Sequence, residues 1–252
     1  MILSSNNPIF KKMMKLSSKK YRDLYQEFIV FGNHLVQEAL KKGIVLHLYT
    51  INPEKEVGLF IKKSLMKALN NNHILYSQVA ICKMLIKSSG FRDKILILDN
   101  IQDPSNAGLL LRSACAFGFK NIFFSNNSVD IYNEKTIQVS QGAIFNLDFF
   151  RGDLSNFLSF LKKNDYFVIG TCGHENNFLS NNLINICSKY YKIALILGNE
   201  GQGISVISRQ KSDYLIAIPT TNLVESLNVA VAGSIIMFYM WWLPKNPKYR
   251  VI

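Results

Sequence analysis

Three short stretches put polar or charged side chains where core patterning would put apolar ones. In NAGLLLRSACAFG, Arg112 is a lone cation on a helix-like repeat whose neighbours are Leu, Ala, Cys and Phe. A guanidinium there either snorkels to the surface or is met by a carboxylate or a bound anion, because an unpaired buried charge is costly. In LILGNEGQGIS, Gly198, Gly201 and Gly203 follow an apolar run, and Glu200 among them is the natural counter-ion for Arg112. Open α/β sheets bind ligands just beyond the carboxyl ends of their strands, which is where such a loop would lie. Its glycine order differs from the dinucleotide fingerprint, and no Lys-Ser/Thr follows, which argues against NAD and ATP. In IPTTNLVESLN, Glu225, Ser226 and Asn228 crowd the head of the most apolar run of the chain. Ser226 would make an ordinary N-cap, whereas capping does not require an Asn two positions later.

These stretches need elements to hold them. KILILDN, NIFFS, YFVIGTC, KIALILG and DYLIAIPT read as strands, and DPSNAGLLLRSACAFG, EKTIQVSQGAIF and LSNFLSFLKKN as helices between them. Strands alternating with helices imply a mostly parallel sheet covered on both faces, in a domain over residues 94–252. Ahead of it, FIVFGNHLVQEALKKGIVLHLYTI reads as strand, helix, strand. FIKKSLMKALNNN then suggests a helix, HILYS a strand and VAICKMLIKSS a helix. This smaller α/β domain occupies residues 21–90, and residues 1–20 read as a loose basic arm. The run from Val229 to Leu243 holds no charge and is 15 residues long. A bilayer needs ~18–20, so it reads as a core or interface helix rather than a membrane span.

Charge points to an anionic partner. Residues 1–94 hold 16 of the 29 Lys and Arg but only 6 of the 17 Asp and Glu, so most of the net +12 lies there. That is the pattern of a domain gripping a phosphate backbone, although a lysine- and asparagine-rich coding bias would also raise it. Cys82, Cys115, Cys172 and Cys187 show no CxxC spacing and sit in apolar contexts, as reduced core residues of a cytoplasmic protein do. No metal site is expected.

Taken together, the three stretches resemble the three motifs of the SpoU/TrmH family of ribose 2'-O-methyltransferases, in the SPOUT superfamily. Asn106, Gly108 and Arg112 match the first; Gly198, Asn199, Glu200, Gly201 and Gly203 the second; Ile218, Pro219, Ser226, Leu227 and Asn228 the third. FIVFGNHLVQEALKKG resembles the L30e-like RNA substrate-binding domain that many members place first. The resemblance implies a parallel sheet with a deep trefoil knot, S-adenosylmethionine bound in a bent form within it, and a homodimer with active sites near the interface. Gly198, Ile218 and Leu227 would hold adenine and ribose through main-chain groups, with Thr171 a further contact.

Arg112 would be the central catalytic residue, oriented with the ribose by Asn106, Glu200, Ser226 and Asn228. A guanidinium has a pKa above ~12, so a phosphate clamp that stabilises the developing alkoxide is preferred over a direct proton acceptor. The substrate reading is structured RNA, 23S rRNA ahead of tRNA, with a non-catalytic ribosome-assembly factor as the alternative from another class. Two positions depart from the family pattern: Gln138 stands where an Arg is common, and Phe31 where a Glu commonly precedes the glycine. They bear on RNA contacts more than on methyl transfer.

Overall fold

The computed structural model describes residues 1–70, 73–84, 90–173, 183, 186–187, 189–221, 223–224 and 226–242 of the 252. The chain forms two compact units, Met1–Ile86 with Asp130–Phe145, and Lys87–Val129 with Asn146–Ile252.

The first unit is built on a four-stranded sheet. Its strands are β1 (Glu27–Phe31), β2 (Val45–Thr50), β3 (Leu59–Phe60) and β4 (Gln78–Lys83), in the order β1-β4-β2-β3. β4 pairs antiparallel with both β1 and β2. The stretch expected to be a helix at VAIC is therefore the central strand. Five of its six residues are buried, and a fully buried strand shows no alternation to distinguish it from a buried helix. HILYS, expected as a strand, forms none; His73 sits at φ 52 and Asn70 takes up the turn, accepting from the Ile74 amide at 2.9 Å.

The first twenty residues are not a loose arm. Helix α1 (Pro8–Lys15) opens on an Asn7 side chain that accepts from the Ile9 amide at 2.9 Å, with Pro8 in the first turn. Phe10, Met13 and Leu16, at helical spacing, are buried in one core cluster with Ile29, Phe31, Tyr49, Ile61, Val79 and Ile81. The lysines of this segment occupy the remaining helix faces. Helix α2 (Lys19–Tyr25) carries Arg22, only 5% exposed, whose Nε donates to Asp130 Oδ2 at 3.0 Å.

α3 (Asn33–Lys41) and α4 (Lys63–Ala68) complete the part before residue 87, and α6 (Glu134–Ser140) belongs to this unit although it lies far along the chain. The two departures from the family pattern meet here. Gln138 Nε2 on α6 donates to the Phe31 carbonyl at 3.1 Å, and the buried Phe31 ring stacks on Tyr76 with centroids 5.3 Å apart.

The second unit is a six-stranded sheet. β5 (Lys94–Leu98), β6 (Asn121–Ser125), β7 (Asp148–Gly152), β8 (Phe167–Thr171), β9 (Ile193–Leu197) and β10 (Tyr214–Ile216) lie in the order β10-β8-β9-β5-β6-β7, every pairing parallel. α5 (Pro104–Ala116), α7 (Leu154–Lys163), α8 (Val206–Lys211) and α9 (Val229–Trp242) accompany it. Leu154, Phe157, Leu158 and Leu161 of α7 pack with Ile95, Ile97, Phe123, Ala194 and Ile196 of the strands. α9 crosses so close to β9 and α5 that a Cβ on Gly233 would stand 2.5 Å from Leu197 Cδ1 and 2.6 Å from Leu110 Cδ2. Strands β5, β6 and β7 run outward on one side of the sheet, whereas β9, β8 and β10 lie on the other. The order switches between β5 and β9, where α/β sheets place their ligand crevice.

Candidate active site

The glycine-rich loop leaves β9 at this switch point. A Cβ on Gly198 would lie 2.1 Å from the Gly203 carbonyl carbon and from the Ile204 amide nitrogen, so the turn closes only on glycine. Asn199 and Gly203 exchange both main-chain hydrogen bonds at 2.9 Å, and Gly203 takes φ +70. The Asn199 side chain accepts from the Gly201 and Gln202 amides at 3.0 and 3.1 Å, and donates to the Asn100 carbonyl at 3.0 Å. Its role here is to fold the loop.

Glu200 projects from that loop toward the start of α5. Its Oε1 accepts from Asn106 Nδ2 at 3.0 Å and from the Asp103 amide at 3.1 Å, while Oε2 accepts from the Gln102 amide at 3.3 Å. Burial pushes the carboxyl upward, but the hydrogen bonds from Asn106 and from the amides of Glu200, Asp103 and Gln102 outweigh it and hold its pKa below the ordinary value. A carboxylate at a helix N-terminus also meets the favourable end of the helix dipole. The expected pairing of Glu200 with Arg112 is not formed. Arg112 is exposed on α5 and meets no carboxylate among the described residues. The N–H groups at the head of α5 lie close to the loop in space and satisfy Glu200 first.

Asn106 joins the second stretch to the third. Only 6% exposed, it donates to Glu200 and accepts from Asn228 Nδ2 at 3.0 Å. Asn228 Oδ1 in turn accepts from the Ala230 amide at 2.9 Å and the Val231 amide at 3.3 Å. Asn228, not Ser226, therefore caps the apolar helix α9. Its amide can accept from the helix and donate to Asn106 at once, which a serine hydroxyl two residues earlier is not placed to do. Glu225 lies outside the described residues.

Beside this network lies a cavity of about 470 Å³. All four expected cofactor contacts, Thr171, Gly198, Ile218 and Leu227, line it, as do Glu200 and Ser226. Asn106, Asn228 and Arg112 are not on its walls. The first two act through the network; Arg112 stands apart on the outer side of α5. The Thr171 hydroxyl donates to the Ile196 carbonyl at 3.0 Å, leaving its oxygen lone pairs as acceptors.

Four wall or support positions carried no expectation from sequence. Cys172, read as a core cysteine, is half-buried and lines the cavity, as do Thr220 and Arg209. Asp99, 3% exposed, accepts from the Ser205 amide and Ser208 Oγ, both at 2.7 Å, and so ties the far end of the loop to β5. The remaining cysteines are free. Cys82 is buried and its thiol is pushed up to about 12 by burial. No cluster of three His, Cys, Asp or Glu able to hold a metal occurs among the described residues.

Residues 93–238, more than half the chain, match the model of the SpoU rRNA Methylase family. The chain belongs to that family. Residues 7–82 also match an MRM3-like substrate binding domain. Among individual SpoU-family proteins, the chain is 31% identical over 254 residues to the 23S rRNA (guanosine(2553)-2'-O)-methyltransferase RlmP of Bacillus subtilis, covering 95% of this chain and 98% of that one. It is 30% identical over 223 residues to the 23S rRNA (guanosine-2'-O-)-methyltransferase RlmB of Blochmanniella floridana, covering 86% and 82%. The fold superposes on the AdoMet-bound rRNA methyltransferase of Sinorhizobium meliloti with a TM-score of 0.79, at 24% identity over 95% of this chain and 96% of that one.

Proposed function

We propose that this chain transfers a methyl group from S-adenosylmethionine to a ribose 2'-hydroxyl of 23S ribosomal RNA, and that the acceptor is a guanosine. The observation that carries the reading is the hydrogen-bonded run Glu200–Asn106–Asn228, which draws the three motif stretches around one cavity beyond β9. The cavity suits the cofactor. Its volume is that of a small-molecule site, its floor is glycine backbone that no side chain obstructs, and Leu197, Ile216 and Ile236 supply apolar surface for a base. The substrate follows the printed activities of the RlmP and RlmB relatives and the basic first unit.

When bound, the cofactor supplies an electrophilic methyl on a sulfonium. The chain must align a ribose hydroxyl and favour loss of its proton. Glu200 stays ionised and fixes the loop against α5; Asn106 and Asn228 fix the head of α9; Ser226 stands exposed on the cavity wall beside Leu227. Arg112, permanently charged, clamps an RNA phosphate near the reacting ribose and stabilises the developing alkoxide.

Arg112 lies off the cavity wall, and α5 and α9 expose Leu109, Val231, Phe238 and Tyr239, each between 39% and 48% accessible. These observations support a homodimer that buries α5 and α9 and lets one subunit's Arg112 complete the other's site. The reading further includes a trefoil knot, in which the loop after β9 and the segment before α9 thread through one another, and a cytoplasmic location with the ribosomal RNA. Ribosomal RNA from a deletion strain tests the substrate. One 2'-O-methyl should vanish from 23S rRNA and return with the intact gene; loss from tRNA alone would reject the ribosomal assignment.

A further inference from the structure

We infer that Arg209 sets the cavity's preference for a ligand with a carboxylate, by holding the carboxylate at the amino-acid end of the methyl donor. The inference rests on the cavity being the S-adenosylmethionine site. Among the described residues on the cavity wall, Arg209 is the one cation and Glu200 the one carboxylate. Glu200 is committed to N–H donors from Asn106, Asp103 and Gln102. Ionised there, it repels a ligand carboxylate. The rest of the wall is glycine backbone, apolar side chains and neutral polar groups, which suit a nucleoside but give an anion no counter-charge. A ligand carboxylate therefore has one favourable end of the cavity, the Arg209 end.

The placement of Arg209 is built rather than accidental. α8 is six residues long, too short to hold an orientation by its own hydrogen bonds. It is pinned instead. Ser205 Oγ caps it at the Ser208 amide, 3.3 Å away, and Asp99 Oδ2 receives both the Ser205 amide and Ser208 Oγ at 2.7 Å. With Ser208 turned fully into the core, the next residue projects about 100° further round the helix. That residue is Arg209, and it faces the cavity. Asp99 thus acts as a positioning residue for a cation it does not touch.

Titration calorimetry on the full chain separates this role from a general effect on pocket shape. The probes are S-adenosylmethionine and decarboxylated S-adenosylmethionine, which differ only in the carboxylate. Wild type should prefer the first. Arg209→Ala should weaken it roughly five- to tenfold, the range for losing a charged hydrogen bond at a partly exposed site, with little effect on the second. Arg209→Lys, which keeps the charge but not the planar fork, should retain part of the preference. Equal losses on both ligands, or no loss on either, would overturn the inference while leaving the methyl-donor reading intact. Wild type that binds neither ligand would remove the methyl-donor reading, and this inference with it.

Discussion

Asn228 performs two tasks with one side chain, and two substitutions pull them apart. Asn228→Ala removes the acceptor that caps the Ala230 and Val231 amides and the donor that reaches Asn106. The lost cap costs about 1 kcal/mol and the lost side-chain hydrogen bond about another 1 kcal/mol. A total near ~2 kcal/mol lowers the melting temperature by roughly 4–8 °C in a domain of this size. Asn228→Asp keeps a good cap, improved by a negative charge at a helix N-terminus, so stability should change by less than ~0.5 kcal/mol. It nevertheless sets a carboxylate oxygen against Asn106 Oδ1. Asn106 can answer only by rotating its amide, which withdraws the donor from Glu200. Thermal unfolding and single-turnover methyl transfer on both variants give the comparison. Asn228→Asp should melt near wild type yet lose transfer at least as severely as Asn228→Ala. An Asn228→Asp variant with wild-type turnover would refute the view that the Glu200–Asn106–Asn228 run organises the site.

Three further outcomes are expected. Arg112→Ala should abolish methyl transfer while changing cofactor affinity less than about twofold by calorimetry, since Arg112 lies off the cavity wall and has no carboxylate partner to lose. The lowered Glu200 pKa means its stabilisation is fully present above the ordinary glutamate range, near ~4.3, and is lost as pH falls through the depressed folded value; a Glu200→Gln variant should show a shallower acid loss of cofactor affinity than wild type. Phe31→Glu and Gln138→Arg should each destabilise the first unit alone, and a urea double-mutant cycle should find the pair coupled by about 1 kcal/mol or more, because the two positions already touch; strict additivity would show that they are independent.

Much of the site was legible because its signals are local. The tight turn at Gly198 and Gly203 needs residues without a Cβ or at positive φ, and the start of α5 announces itself through Asp103–Pro104, with Asp103 accepting from the Ser105 amide at 2.8 Å. What stayed hidden depends on contacts between distant positions. Asp99 meets Ser205 and Ser208 more than a hundred residues away, so nothing beside it in sequence marks it as the anchor of the loop. Glu200 was matched to Arg112 on charge alone, whereas the fold offers it an Asn side chain and free helix amides. In the first unit, β4 carries no alternation because both neighbours bury it. α1 was overlooked although Asn7–Pro8 is a helix start, because its three core residues are spaced among lysines that dominate the composition. α6 reads as part of the second βα pattern, and only tertiary packing assigns it to the first unit.

The central claim is that the cavity beyond β9 delivers a methyl group to a ribose oxygen of ribosomal RNA. Purified protein incubated with isotopically labelled S-adenosylmethionine and unmodified 23S rRNA, followed by mass spectrometry of nuclease fragments, tests it most directly. One fragment should gain a single labelled methyl on a guanosine 2'-oxygen. Label on a base, on tRNA but not 23S rRNA, or on no RNA while the cofactor still binds, would contradict the account.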